Sequence, residues 1–381
     1  MTGLLETPYG TRDFLPKEAA IKRGVEQNIA KLFASFGYEE VITPTMEYLE
    51  TLTTSSGRTQ EPHLFKMFDR NNRTLALRHE MTTPIARLAV SRLEDAPLPL
   101  KLSYLTSVFR FRTNQPGRQC EFYQAGVELL GVSNAFADAE IIALAAQALS
   151  VAGLKDFTIC LGQVDFAAGL LATLPHDVQA QIKSAIERHD IVAFERLDID
   201  DALKKIPTLQ GGQEILSKAR ALADNDRSRR ALDNLTEIYR LLEIYGVADK
   251  ITFDLGLIRD FEYYTGMVFE AYAPGVGYSL AGGGRYDNML QDFGAARAAT
   301  GFALGIERIL EARRFQGVAE DSRKKDFYLS YAAGHEREAI IKAAELRAAG
   351  KVVEVSLTPQ TKADAEKSCA EKNCMEFVYA L

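Results

Sequence analysis

"FRFRTNQPGRQCEFYQ", residues 109–124, sets a polar, basic turn between two apolar runs. It carries Arg110, Arg112 and Arg118, with Glu121 as its only acid. The flanks, "LKLSYLTSVFRF" (100–111) and "EFYQAGVELLG" (121–131), are rich in β-branched and aromatic residues. The stretch therefore reads as two strands joined by a loop suited to hold an anion.

Outward from that hairpin the periodicity changes repeatedly. Residues 18–36 place Ile21, Val25, Ile29, Leu32 and Phe33 on one helical face, and Gly37 follows as a stop. "YEEVITPTMEY" (38–48) is β-branched but broken by Pro44, which suits an edge or interface strand. "LFKMFDRNNRTLALR" (64–78) reads as a hairpin, and "TTPIARLAVSRL" (82–93) as a helix capped by Thr82 or Thr83. Residues 137–153 form another helix. From about 165 to 245 the pattern is almost wholly helical, an insertion in a β-rich domain. Strands resume at 250–258, 264–273 and 278–287, and a helix follows "ATGFALG" (299–305). After the linker-like "QGVAEDSRKK" (316–325), strands and helices alternate to the end, as in a small parallel α/β unit. The predicted domains are 1–320, containing the insertion, and 326–381.

With 381 residues the chain can bury more than one core, and its formal charge of −7 offers no bulk attraction to nucleic acid. No signal peptide and no membrane-spanning run is apparent, so the expected location is cytoplasmic and membrane-free. Cys120, Cys160, Cys369 and Cys374 have no histidine spaced to complete a metal site, and reduced thiols are expected.

Polar clusters interrupt several apolar strands: "LRHEMT" (77–82), "QAGVE" (124–128), "LIRDFEYYTG" (257–266), "AGGGRYD" (281–287) and "GFALGIER" (301–308). An ionised group in a buried strand is costly unless it is paired or faces a ligand. Taken singly, each has a structural reading. Glu80 would cap the next helix, Arg259 would form an interior ion pair, and "AGGGRYD" would turn a hairpin. Together, arginines for a carboxylate or phosphate, acids for an ammonium and tyrosines for a flat ring suit a small zwitterion with a polar ring.

The order and spacing of these clusters resemble a class II aminoacyl-tRNA synthetase core of the histidyl type. "GYEEVITPTMEYLE" (37–50) looks like motif 1, the dimer strand. The opening stretch looks like motif 2 and "GFALGIERIL" (301–310) like motif 3, while "LIRDFEYY" and "AGGGRYD" resemble the two histidyl signatures. The resemblance implies an α+β fold: an antiparallel sheet flanked by helices, with a helical insertion and a small, truncated α/β C-terminal domain. It also implies a histidine pocket. Glu80, Thr82 and Gln124 would take the α-amino group, Glu128 and Tyr264 the imidazole, Tyr263 and Tyr286 would line it, and Arg259 would face the carboxylate. Arg110 and Arg308 sit where the synthetases hold ATP phosphates; with Arg112 and Arg118 they would form a vestigial nucleotide or anion site.

The sequence departs from the synthetases in that second half. Motif 2 there begins Phe-Arg-x-Glu-Arg, and its Glu accepts the adenine amino group. Here Arg112 and Thr113 take those places, and guanidinium cannot accept a hydrogen bond. Cys120 replaces a second arginine of the loop, "LRHEMT" replaces "LRPEGT", and Gly266 stands where a basic residue is usual. The last segment is also shorter than the roughly 90–100 residues of a histidyl anticodon-binding domain. These departures are similar to those of the histidyl-tRNA synthetase-like regulatory subunits of ATP phosphoribosyltransferase. That resemblance implies no catalysis, no cofactor or metal, and no tRNA. It implies a homodimer within a hetero-oligomer containing a short-form catalytic subunit, and histidine as the feedback ligand of histidine biosynthesis. The alternatives are a divergent histidyl-tRNA synthetase, or a synthetase-like enzyme acting on another acceptor.

Overall fold

A computed structural model describes residues 4–54, 60–111, 119–187, 190–257, 263–319 and 325–381. By internal contacts the chain divides into two compact units. One holds residues up to Leu15 and from Lys22 to Val318; the other holds Pro16–Ile21 and Ala319–Leu381.

Among the described residues the first unit contains twelve strands: β1 (Glu39–Glu40), β2 (Met46–Tyr48), β3 (Lys66–Phe68), β4 (Thr74–Leu77), β5 (Leu100–Phe109), β6 (Glu121–Leu130), β7 (Thr158–Gln163), β8 (Gln210–Gly211), β9 (Ile251–Asp254), β10 (Met267–Tyr272), β11 (Ala281–Arg285) and β12 (Ala299–Gly305). Nine of them form one sheet in the order β1-β5-β6-β12-β11-β10-β7-β9-β8. Its central run, β5 through β7, is antiparallel throughout. The opening stretch thus belongs to two ten-residue strands in register from Leu100↔Leu130 to Phe109↔Glu121. Pro44 separates β1, at the sheet edge, from β2, which joins β4 and β3 in a second small sheet. The turn between β3 and β4 is closed by Asn72 at φ 60°, a left-handed position that asparagine tolerates better than most residues. These elements fit the expected hairpins and the broken edge strand.

Two local readings are decided. The glycines of "AGGGRYD" turn no hairpin, the reading of that cluster taken alone; they lie within β11, inside the strand expected over 278–287, and pair with both β10 and β12. Their use is close approach, since a Cβ on Gly284 would stand 2.6 Å from the Met267 carbonyl oxygen and 2.7 Å from the Tyr264 ring. The Thr82–Ser91 helix is capped by neither threonine. Met81 occupies the cap position, and Glu80 accepts from the Thr82 and Thr83 amides at 2.5 and 2.9 Å. A carboxylate at the helix N-terminus satisfies two otherwise orphaned donors and complements the helix dipole.

The segment after β7 is mainly helical: Val164–Leu171, His176–Glu187, Ile191–Glu195, Glu214–Arg220 and Asp226–Ile244, with β8 a two-residue strand among them. The last of these buries Leu232, Leu235, Ile238 and Leu242 along one face, and it begins at Asn225, whose side chain accepts from the Ser228 amide. Beneath the Thr82–Ser91 helix, Ile85, Ala86 and Ala89 join Tyr104, Tyr286 and Leu290 in a continuous apolar core. Burying each of the larger of these side chains is worth about 1.5–3 kcal/mol.

The second unit contains β13 (Lys325–Tyr331), β14 (Val353–Val355) and β15 (Cys374–Ala380), ordered β14-β13-β15 and parallel in both pairings. The helices Glu336–Ala348 and Lys362–Glu371 make the crossovers, the parallel α/β pattern read from the sequence. All four cysteines are free thiols. Among the described residues no helix is long and apolar enough to cross a membrane.

Candidate ligand-binding site

The register of the central sheet brings Glu128 of β6 opposite Gly301 of β12, and Gly301 opposite Gly284 of β11. A side chain at Gly301 would overlap the Glu128 carboxylate, so the glycine there leaves that carboxylate its room. Over it open the N-terminus of the Thr82–Ser91 helix and the tyrosines that precede and follow β10 and β11. The result is a cavity of about 440 Å³.

Part of the cavity lining is acidic and aromatic. Glu128 is buried; Thr82 Oγ1 donates to its Oε1 at 3.0 Å, and the Tyr286 hydroxyl donates to its Oε2. Burial pushes the Glu128 carboxyl up to about 8, and nearby Glu80 pushes the same way, although both hydroxyl donors favour the ionised form. Tyr263 stacks on Tyr286 at 5.4 Å and meets Tyr264 edge to face at 4.7 Å. Burial holds the phenols of Tyr263 and Tyr286 well above their ordinary range, so both stay neutral hydrogen-bonding groups at physiological pH.

Two arginines also line the cavity. Arg110, just past β5, donates Nε to the His79 carbonyl at 2.8 Å and lies over the Phe122 ring at 5.3 Å. Arg308, from the helix after β12, donates Nη1 to the Ser279 carbonyl at 2.6 Å and lies over Tyr278 at 5.1 Å. Such anchoring fixes a guanidinium before a ligand arrives. A cavity lined by a carboxyl, phenols and two held guanidiniums suits a ligand that carries both a polar aromatic group and an anionic one.

Glu80, Thr82, Gln124, Glu128, Tyr263, Tyr264 and Tyr286 all line this one cavity, as do Arg110 and Arg308. Arg112, Arg118 and Arg259 lie outside the described residues. Glu80, whose two readings were a cap and an ammonium acceptor, is a helix cap here and faces the cavity as well. Arg78 and Arg285, charged residues of the same motifs, do not line it. Arg78 is buried and donates to the carbonyls of Thr43, Pro44 and Ser107, and Arg285 pairs with buried Asp138 at 2.8 Å.

A family model described as Histidyl-tRNA synthetase matches residues 10–309. An ATP phosphoribosyltransferase regulatory subunit of Moorella thermoacetica is 42% identical over 97% of this chain and 96% of its own length. A protein of the same description from Symbiobacterium thermophilum is 42% identical over 93% of this chain and 92% of its own. The chain belongs to the family of ATP phosphoribosyltransferase regulatory subunits. Among solved structures, an ATP phosphoribosyltransferase regulatory subunit/histidyl-tRNA synthetase from Bacillus halodurans superposes with a TM-score of 0.88 at 33% identity, covering 99% of this chain and 98% of that one. Histidyl-tRNA synthetase from Nostoc superposes with a TM-score of 0.82 at 21% identity, over 97% of this chain and 90% of that one, a likeness of fold.

In this member of the regulatory-subunit family the cavity also holds residues that the motif reading passed over: Gln60, His79, Tyr104, Phe122 and Tyr278. His79 is the most telling of them. It is buried, its Nδ1 has no hydrogen-bond partner among the described residues, and burial lowers its pKa, so it stays neutral. The signal was present in the sequence, because "LRHEMT" carries His79 where the synthetases carry proline. Tyr104 is recognisable only through β5–β6 register, which sets its ring across Gly126.

Proposed function

We propose that the chain is the regulatory subunit of ATP phosphoribosyltransferase and catalyses no aminoacylation itself. It would act on a short-form catalytic subunit that joins ATP to phosphoribosyl pyrophosphate, the first step of histidine biosynthesis, in a cytoplasmic hetero-oligomer with a homodimer at its core. The cavity would take histidine as feedback ligand: imidazole toward Glu128 and Tyr264, the amino group toward Glu80, Thr82 and Gln124, and the carboxylate toward Arg259. Identity to regulatory subunits along nearly the whole chain carries this reading. The motif 2 residues support its noncatalytic half. With Arg112 and Thr113 in place of Glu-Arg, the loop lacks the carboxylate that accepts the adenine amino group.

A second reading, a divergent histidyl-tRNA synthetase, draws on the match of residues 10–309 to the synthetase family model. Histidine-dependent ATP–pyrophosphate exchange by the purified chain separates the two. The regulatory reading predicts no exchange above the no-enzyme rate; robust exchange would overturn it.

A further inference from the structure

We propose that residues 78–87 transmit occupancy of the cavity to residues 42–48, with the Arg87–Glu47 ion pair as the transmitting contact. The proposal rests on the reading of the cavity as a histidine site. His79, Glu80, Met81, Thr82 and Thr83 of the segment line the cavity; among them Glu80 holds the first two amides of the Thr82–Ser91 helix, and Thr82 bonds Glu128. Any ligand that engages Glu80, Thr82 or Glu128 therefore acts directly on how that helix begins.

The same segment grips 42–48 from both of its ends. Before Glu80, Arg78 donates Nη1 to the Thr43 carbonyl at 2.8 Å and to the Pro44 carbonyl at 3.2 Å, beside its Nε bond to Ser107 of β5. One helical turn beyond Thr82 and Thr83, Arg87 donates Nη2 and Nε to Glu47 Oε1 at 2.6 and 3.2 Å. Glu47 is buried in β2, opposite Ala76 of β4, the strand that runs directly into Arg78. The outer side of 42–48 exposes Ile42 and Met46, so a change in its position would be presented at the surface.

The two grips differ in what can be tested. Arg78 is wedged among backbone carbonyls, and its loss would leave several buried acceptors unpaired. Arg87 is partly exposed and far enough along the helix to be neutralised without touching the cavity. Arg87→Met keeps the aliphatic bulk of the side chain and removes the charge, and Glu47→Gln offers an independent break of the same contact.

The test is hydrogen–deuterium exchange of the full chain, with and without saturating L-histidine, followed in peptides covering 40–48 and 78–91. In the wild type, histidine is expected to slow exchange in both by at least about fivefold, within the range of ordinary coupling energies. In Arg87→Met and in Glu47→Gln the slowing at 78–91 is expected to persist, while that at 40–48 falls below about twofold. Slowing at 78–91 with none at 40–48 in the wild type would overturn the proposal, as would equal slowing at 40–48 in the variants. No change anywhere in the wild type would refute the histidine-site reading and this proposal with it.

Discussion

Glu128 lies in a cage of phenols and hydroxyls at the centre of the sheet, and its titration differs from that of a surface glutamate. Its carboxyl is pushed from an ordinary 4.5 up to about 8 by burial. A carboxyl whose native pKa is raised contributes stability below its unfolded pKa and loses it as pH rises through the native value. Between pH 4.5 and 8 the free chain therefore loses up to about 5 kcal/mol through this group. Glu128→Gln, neutral throughout, should flatten that part of the curve, as measured by urea unfolding at several pH values; parallel curves for the two proteins would contradict it. At this scale the charged cavity residues were legible because each stands within or beside an apolar stretch: Glu128 in β6, Arg110 just past β5, Glu80 between β4 and the next helix, and Arg308 in the helix after β12. Gln60 and Tyr278 were not, because a polar or aromatic residue between regular elements gives no such contrast; His79 was marked only by its replacement of a proline. Arg78 and Arg285 show the converse: the same contrast also marks structural charges satisfied by carbonyls or by Asp138.

Elements were readable where one periodicity dominates. The β5–β6 hairpin, the β3–β4 hairpin, the Thr82–Ser91 helix and the parallel C-terminal unit all follow from pattern and turn chemistry. β7 carried no expectation. Its "TICLGQ" is six residues long, with four of them buried, so it lacks the alternation of a half-exposed strand. The β11 glycines left strand and turn both open for a related reason. Glycine signals a turn in isolation, and only sheet register reveals that Gly283, Gly284 and Gly301 permit close approach across three strands. Gly126 makes the same demand in β6, where a Cβ would overlap both the Tyr104 hydroxyl and the Phe302 carbonyl oxygen. Gly126→Ala should cost about 1–3 kcal/mol in equilibrium unfolding, the ordinary penalty of overpacking. An unchanged midpoint and slope would show that the sheet accommodates the methyl group.

The whole molecule keeps a synthetase-like framework while its motif 2 chemistry departs from that of the synthetases. The fold was legible from a few spaced motifs because they lie on the strands that build the sheet and the cavity. The functional reading depended on replacements inside and around them, Arg112 for a carboxylate first among them, with Thr113, Cys120, "LRHEMT" and Gly266, which no fold-level likeness would reveal. The second unit was legible as α/β, since its three parallel strands and two crossover helices alternate cleanly. What it contacts in an assembly is not written in that alternation, because a docking surface has no fixed period. Control of a partner enzyme is read directly as phosphoribosyl-ATP formation by a purified short-form catalytic subunit, with and without this chain. The regulatory reading predicts stimulation of at least about tenfold on adding the chain, reversed by L-histidine, consistent with coupling energies of roughly 1–3 kcal/mol. A rate unaffected by the chain at saturating concentration would contradict it.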